Sequence, residues 1–205
     1  MIPYSRQCID KKDIEKVTEV LKGKFVTTGP KIQEFESKIK KITKARYATA
    51  LNSATSALHV SCLALGLKKN DLLWTSPISF VASANCALYC GAKVDFVDID
   101  ISTYNISTFE LEKKLKVAKK KKKLPKILVV VNFAGQPCDL DKIKLLSKKY
   151  KFKIIEDSSH ALGAKFNNQV LGNGKFSDIT VFSFHPVKTI TTLEGGMALT
   201  NNRTV

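Results

Sequence analysis

From Tyr47 onward, short apolar runs alternate with longer amphipathic segments, and this rhythm limits the fold more tightly than any other feature of the chain. Short apolar runs bounded by turn residues read as strands, and apolar residues spaced by three and four read as helices. Strands are expected at 47–51, 72–75, 94–97, 127–131, 154–156, 179–183 and 196–200, the first of them buried. Helices are expected at 53–65, 81–89, 107–115 and 140–150; the third opens with Ser107-Thr108-Phe109-Glu110, which has the form of a capping box. Ahead of this unit, Ile14, Val17, Val20 and Leu21 mark one amphipathic helix, and Phe35, Ile39 and Ile42 mark a second. Residues 166–170 read as a polar turn between two short strands. Strands that alternate with helices imply an α/β domain with a mainly parallel sheet. In such sheets, ligand groups gather beyond the carboxyl ends of the strands.

Composition removes several classes of function. With 205 residues, 44% hydrophobic and 25% charged, the chain has the material for one sizeable core. No apolar run approaches the ~18–20 residues that span a bilayer. The N-terminal residues 1–6 lack the apolar core of a signal peptide. A cytoplasmic protein without a membrane partner is expected. The five cysteines form no C-x-x-C motif, so neither a disulfide framework nor a zinc ribbon is indicated. Cys86 and Cys90 share a helix face and read as buried thiols rather than metal ligands. The net charge is +16, from 34 basic and 18 acidic residues. Its one dense run, Lys119 to Lys123, has no aromatic or arginine for stacking or base reading. It reads as a solvated helix end, and no nucleic-acid partner is expected.

The residues able to carry chemistry fall at strand ends. Lys188 lies in Ser183-Phe184-His185-Pro186-Val187-Lys188, with no acid beside it to pair its charge. A lysine drawn into such a segment loses solvation, its pKa falls, and a neutral amine becomes available to condense with an aldehyde. Asp157 closes the apolar run Ile154-Ile155 with Glu156. It can cap the following turn, or it can hold a pyridine nitrogen protonated and so make the ring an electron sink. His160, three residues on, can donate to a phenolic oxygen or sit as a satisfied half-buried histidine. Asn52-Ser53-Ala54-Thr55-Ser56 places amides and hydroxyls at a helix N-terminus, which suits a phosphate as well as ordinary capping. Ser183 can add a hydroxyl there. Phe80 can cover a planar ring or belong to the core. Gly195-Gly196 would let backbone approach a ligand closely.

Taken together, these groups comprise an aldehyde-trapping amine, a pyridine partner, a phosphate cradle and a ring stacker. The ordered motifs Thr27-Thr28-Gly29-Pro30, 52–59, 76–82, 156–163 and 183–188 resemble those of the DegT/DnrJ/EryC1/StrS family of nucleotide-sugar aminotransferases. Within it they are most similar to the branch that serves pseudaminic acid biosynthesis. The resemblance covers essentially the whole chain. It implies a pyridoxal 5'-phosphate aspartate-aminotransferase-like (fold type I) large domain, homodimerisation, and transfer of an amino group from L-glutamate to a UDP-linked 4-keto-6-deoxy nucleotide sugar. Mapped by motif, it implies a Schiff base on Lys188, Asp157 at the pyridine nitrogen, Phe80 stacked on the ring and His160 near the ring oxygen. Ala54, Thr55 and Ser183 would hold the phosphate, and Thr28 and Gly29 would lie near substrate and subunit interface.

Family members are roughly twice as long. The expectation is therefore that residues 1–205 are an N-terminal segment and cofactor-binding large domain, without the small C-terminal domain. The chain alone is then expected to be poorly soluble and weakly active. Three readings compete with this one. Transamination of another carbon or nucleotide is one, an inactive fragment is another, and a basic binding module is the third. Relatives that dehydrate sugars carry histidine in place of the lysine, and Lys188 argues against that chemistry here.

Overall fold

The structure, a computed structural model, describes residues 1–3 and 5–205. Six helices, α1 (Lys11–Lys22), α2 (Pro30–Thr43), α3 (Ala54–Ala64), α4 (Ala82–Tyr89), α5 (Thr108–Lys120) and α6 (Leu140–Tyr150), surround a central sheet. Its strands are β1 (Tyr47–Leu51), β2 (Leu72–Thr75), β3 (Lys93–Phe96), β4 (Ile127–Val131), β5 (Lys153–Asp157), β8 (Ile179–Ser183) and β9 (Gly196–Thr200). A separate hairpin is made by β6 (Lys165–Phe166) and β7 (Gln169–Val170). Asn167 and Asn168 turn it with φ of 47° and 58°, the left-handed pair that a two-residue hairpin needs.

The sheet order is β1-β9-β8-β5-β4-β2-β3. β2 pairs with β3 and β4, β4 with β5, and β5 with β8, all parallel. β9 runs antiparallel to both β8 and β1, so β1 and β8 point the same way and only β9 is reversed. The carboxyl ends of β1, β2, β3, β4, β5 and β8 therefore lie along one edge.

The central strands are apolar on both faces because both faces are covered. Ile127 and Val129 pack with Leu58, Cys62 and Cys86 of α3 and α4. Leu128 and Val130 pack with Leu111, Leu115, Ile143 and Leu146 of α5 and α6. Beside the second cluster, Ile39 of α2 packs on Phe182, Met197 and Leu199.

The helices begin where small polar side chains satisfy amides that a first turn leaves open. Ser53 accepts from Ser56, Ser107 from Glu110 and Asp139 from Lys142. Asp10 and Asp13 cap α1 reciprocally. α5 runs on to Lys120, beyond the expected end, and the following lysines lie in an exposed turn.

Three details correct the expectations from the sequence. β1 is half-exposed rather than buried, because it forms one border of the sheet and has β9 as its one neighbour. α1 buries none of its residues, and Ile14, Val17 and Leu21 face solvent. Of the Cys86–Cys90 pair, only Cys86 is fully buried. Among the described residues, no helix is long and apolar enough to cross a membrane.

Candidate active site

A cavity of about 540 Å³ opens at the shared carboxyl edge of the sheet. Ala54, Thr55, Phe80, Asp157, His160, Ser183 and Lys188 all line it. They lie at the carboxyl ends of β1, β2, β5 and β8 or in the segments that follow, and they meet because these ends share one edge of the sheet. Thr28 and Gly29 are not in its lining; they precede α2, where Gly29 is the N-cap and Thr28 has a φ of 51°.

Asp157 is the last residue of β5 and is 5% exposed. Its Oδ1 accepts from the Ser159 amide at 3.2 Å and from Ser159 Oγ at 2.6 Å. Its Oδ2 accepts from Ser83 Oγ at 2.7 Å. Asp157 thus caps the next turn and lines the cavity at once.

Lys188 Nζ lies 2.5 Å from His160 Nε2. Burial lowers the lysine pKa, partly opposed by the charge of Asp157. The histidine pKa is lowered by burial and then by the charge of Lys188. Both shifts favour the uncharged forms that let two basic nitrogens come so close.

The first turn of α3 supplies the amides of Ala54 and Thr55, for which a helix has no internal acceptor. The helix dipole adds positive character at the same place. Of the two glycines, Gly195 lines the cavity, and Gly196 acts differently from the expectation. A Cβ on Gly196 would lie 2.3 Å from Ser53 C and O and 2.4 Å from Ala54 N. Gly196 lets β9 approach the start of α3, and the close contact is to the protein's own backbone rather than to a ligand.

Phe80 is 72% exposed, which overturns its reading as a core residue. An aromatic ring left at the rim of a cavity is free to cover a ligand face. Reading the sequence did not find Ser83, Ser159 or the β4 end, Asn132 to Ala134, which also borders the cavity. Ser159 has a local signal, two residues after an aspartate. Ser83 has none, because its partner is distant in sequence and meets it only in the folded chain.

Residues 7–205 match the DegT/DnrJ/EryC1/StrS aminotransferase family. The chain is 44% identical over 203 residues to a UDP-4-amino-4,6-dideoxy-N-acetyl-β-L-altrosamine transaminase of Campylobacter jejuni, covering 99% of this chain and 52% of that one. Among solved structures, Helicobacter pylori PseC, an aminotransferase of pseudaminic acid biosynthesis, superposes with a TM-score of 0.87 at 36% identity, covering 98% of this chain and 52% of its own. A Streptococcus pneumoniae protein described as a sugar aminotransferase, in its PLP form, gives 0.88 at 30% identity, with 100% and 54% covered. The chain spans about half the length of the curated relatives it matches.

Proposed function

The chain belongs to the DegT/DnrJ/EryC1/StrS aminotransferase family, and from that premise we propose that the protein moves an amino group from L-glutamate to a UDP-linked 4-keto-6-deoxy sugar. The observation that carries this reading is the meeting of Lys188, Asp157, Phe80 and the first turn of α3 in one cavity.

The family's cofactor is pyridoxal phosphate. The donor set fits it: a buried carboxylate for a protonated ring nitrogen, free first-turn amides with adjacent hydroxyls for a phosphate, and an amine of lowered pKa. When bound, this cofactor supplies an aldehyde carbon and a ring that takes up an electron pair.

Lys188 Nζ would hold the aldehyde carbon of the cofactor, and its amine of lowered pKa would serve as the proton carrier at the site. His160 Nε2 lies within hydrogen-bond distance of Lys188 Nζ and can accept from it or donate to it. Asp157 would keep the ring nitrogen protonated, and Phe80 would cover one face of the ring. Ala54, Thr55 and Ser183 would bind the phosphate. Thr28 and Gly29 are assigned to the neighbourhood of the sugar and the subunit interface. The homodimer belongs to the same proposal. A second copy would cover the apolar face that α1 shows to solvent.

The test is to incubate the full-length protein with L-glutamate and a UDP-linked 4-keto-6-deoxy sugar and to measure 2-oxoglutarate and amino sugar. The two should appear in equal amounts, and Lys188→Ala should reduce both to background. Undiminished turnover by Lys188→Ala would overturn the reading.

A further inference from the structure

We propose that Ser83, backed by Ser79, is the positioning residue that keeps the carboxylate of Asp157 aimed at the ring nitrogen of the cofactor. This rests on the reading of the site given above, and it concerns residues to which that reading assigns no role.

Ser83 lies in the first turn of α4 and is fully buried. Its Oγ is 2.7 Å from Asp157 Oδ2. The two contacts from Ser159 both fall on Oδ1 and come from the turn that Asp157 itself opens. Ser83 takes hold of the other oxygen, from a helix 74 positions away in sequence. One oxygen held leaves a carboxylate free to swing about its bond; both held fix its plane.

The direction of the chain follows from proton counting. An ionised carboxylate only accepts, so the single hydroxyl proton of Ser83 goes to Asp157. Ser83 Oγ lies 2.7 Å from Ser79 Oγ. With its own proton committed, Ser83 is the acceptor there; the one hydroxyl proton of Ser79 has two acceptors in reach, Ser83 Oγ at 2.7 Å and the Phe80 carbonyl oxygen at 3.1 Å, and the contact to Ser83 is the shorter. Ser79 lines the cavity and directly precedes Phe80. A row of donors thus runs from the segment carrying Phe80 to the carboxylate. Aligned hydrogen bonds reinforce one another, so the row holds the carboxylate in one orientation.

The experiment compares the affinity of the full-length protein for pyridoxal phosphate and for the analogue whose ring nitrogen is replaced by C–H. Loss of one hydrogen bond to a charged group corresponds to about tenfold or more in affinity. Ser83→Ala should weaken pyridoxal phosphate by about that factor and leave the analogue unchanged. Ser83→Thr should restore wild-type binding. Ser79→Ala, which leaves the buried contact in place, should give a smaller loss in the same selective pattern. Equal losses for both ligands would mean that Ser83 only shapes the cavity, and no loss for either would mean that Asp157 does not need it; each overturns the proposal. If the wild-type protein itself fails to prefer pyridoxal phosphate to the analogue, the reading of Asp157 falls, and the role of Ser83 with it.

Discussion

Glu156 and Asp157 are adjacent in one strand, and the alternation of a strand sends them to opposite faces. Asp157 reaches the cavity. Glu156 is 2% exposed and accepts from Asn132 Nδ2 at 3.3 Å and from Ser158 Oγ at 3.0 Å. Burial raises its pKa, and the hydrogen bonds from Ser158, Ser177 and Asn132 offset only part of that. A carboxyl with a raised folded-state pKa binds its proton more tightly than in the unfolded chain. Below the unfolded value both states are protonated and burial of the neutral acid costs nothing extra. As pH rises from there to the folded value, the unfolded state has released its proton while the folded state has not, so stability falls. Each pH unit of that window is worth about 1.4 kcal/mol. Glu156→Gln removes the titration and keeps the shape. Urea midpoints measured across pH should show the variant gaining on the wild type as pH rises; parallel curves would contradict this. At this scale the sequence was informative where chemistry follows from local position. Asp157 at a strand end and Lys188 among small hydroxyl residues could be singled out, and both line the cavity. Ser83 could not, because its hydrogen bond to Asp157 exists only through the tertiary fold.

At the scale of elements, the start of α3 is where packing and chemistry meet. Ser53 caps it, Ala54 and Thr55 present its open amides, and Gly196 at the head of β9 presses against it. Most element boundaries were legible to within a residue or two, since the apolar periodicities of strand and helix differ. Two aspects of placement were not. β1 has the composition of an interior strand, and only the pairing order makes it a border strand. α1 has a full apolar stripe, and nothing local says whether this chain or another covers it. The role of Gly196 was equally hidden, since a glycine that admits a ligand and one that admits a helix look alike in sequence. Gly196→Ala would place a methyl 2.3 Å from the Ser53 carbonyl, a severe clash, and force the α3 start away from β9. We expect a loss of about 1–3 kcal/mol in stability, together with weaker binding of pyridoxal phosphate. Thermal melting and a titration with the cofactor test the two effects. Unchanged values in both would show that the contact has slack.

On the scale of the whole molecule, a seven-stranded sheet with one reversed strand brings six strand ends to one edge, and the cavity opens there. The charge of +16 is spread over the surface and does not converge on the site. What distinguishes Lys188 from the many other lysines is its place: partly buried, against His160, with its pKa lowered. The central claim is that this one amine is the point of attachment for an aldehyde cofactor. Adding pyridoxal phosphate to the purified protein, reducing with borohydride and mapping the modified peptide by mass spectrometry tests it directly. The account predicts a single cofactor adduct on Lys188 that disappears in Lys188→Ala. Adducts distributed over exposed lysines such as Lys119 to Lys123, with Lys188 unmodified, would contradict it.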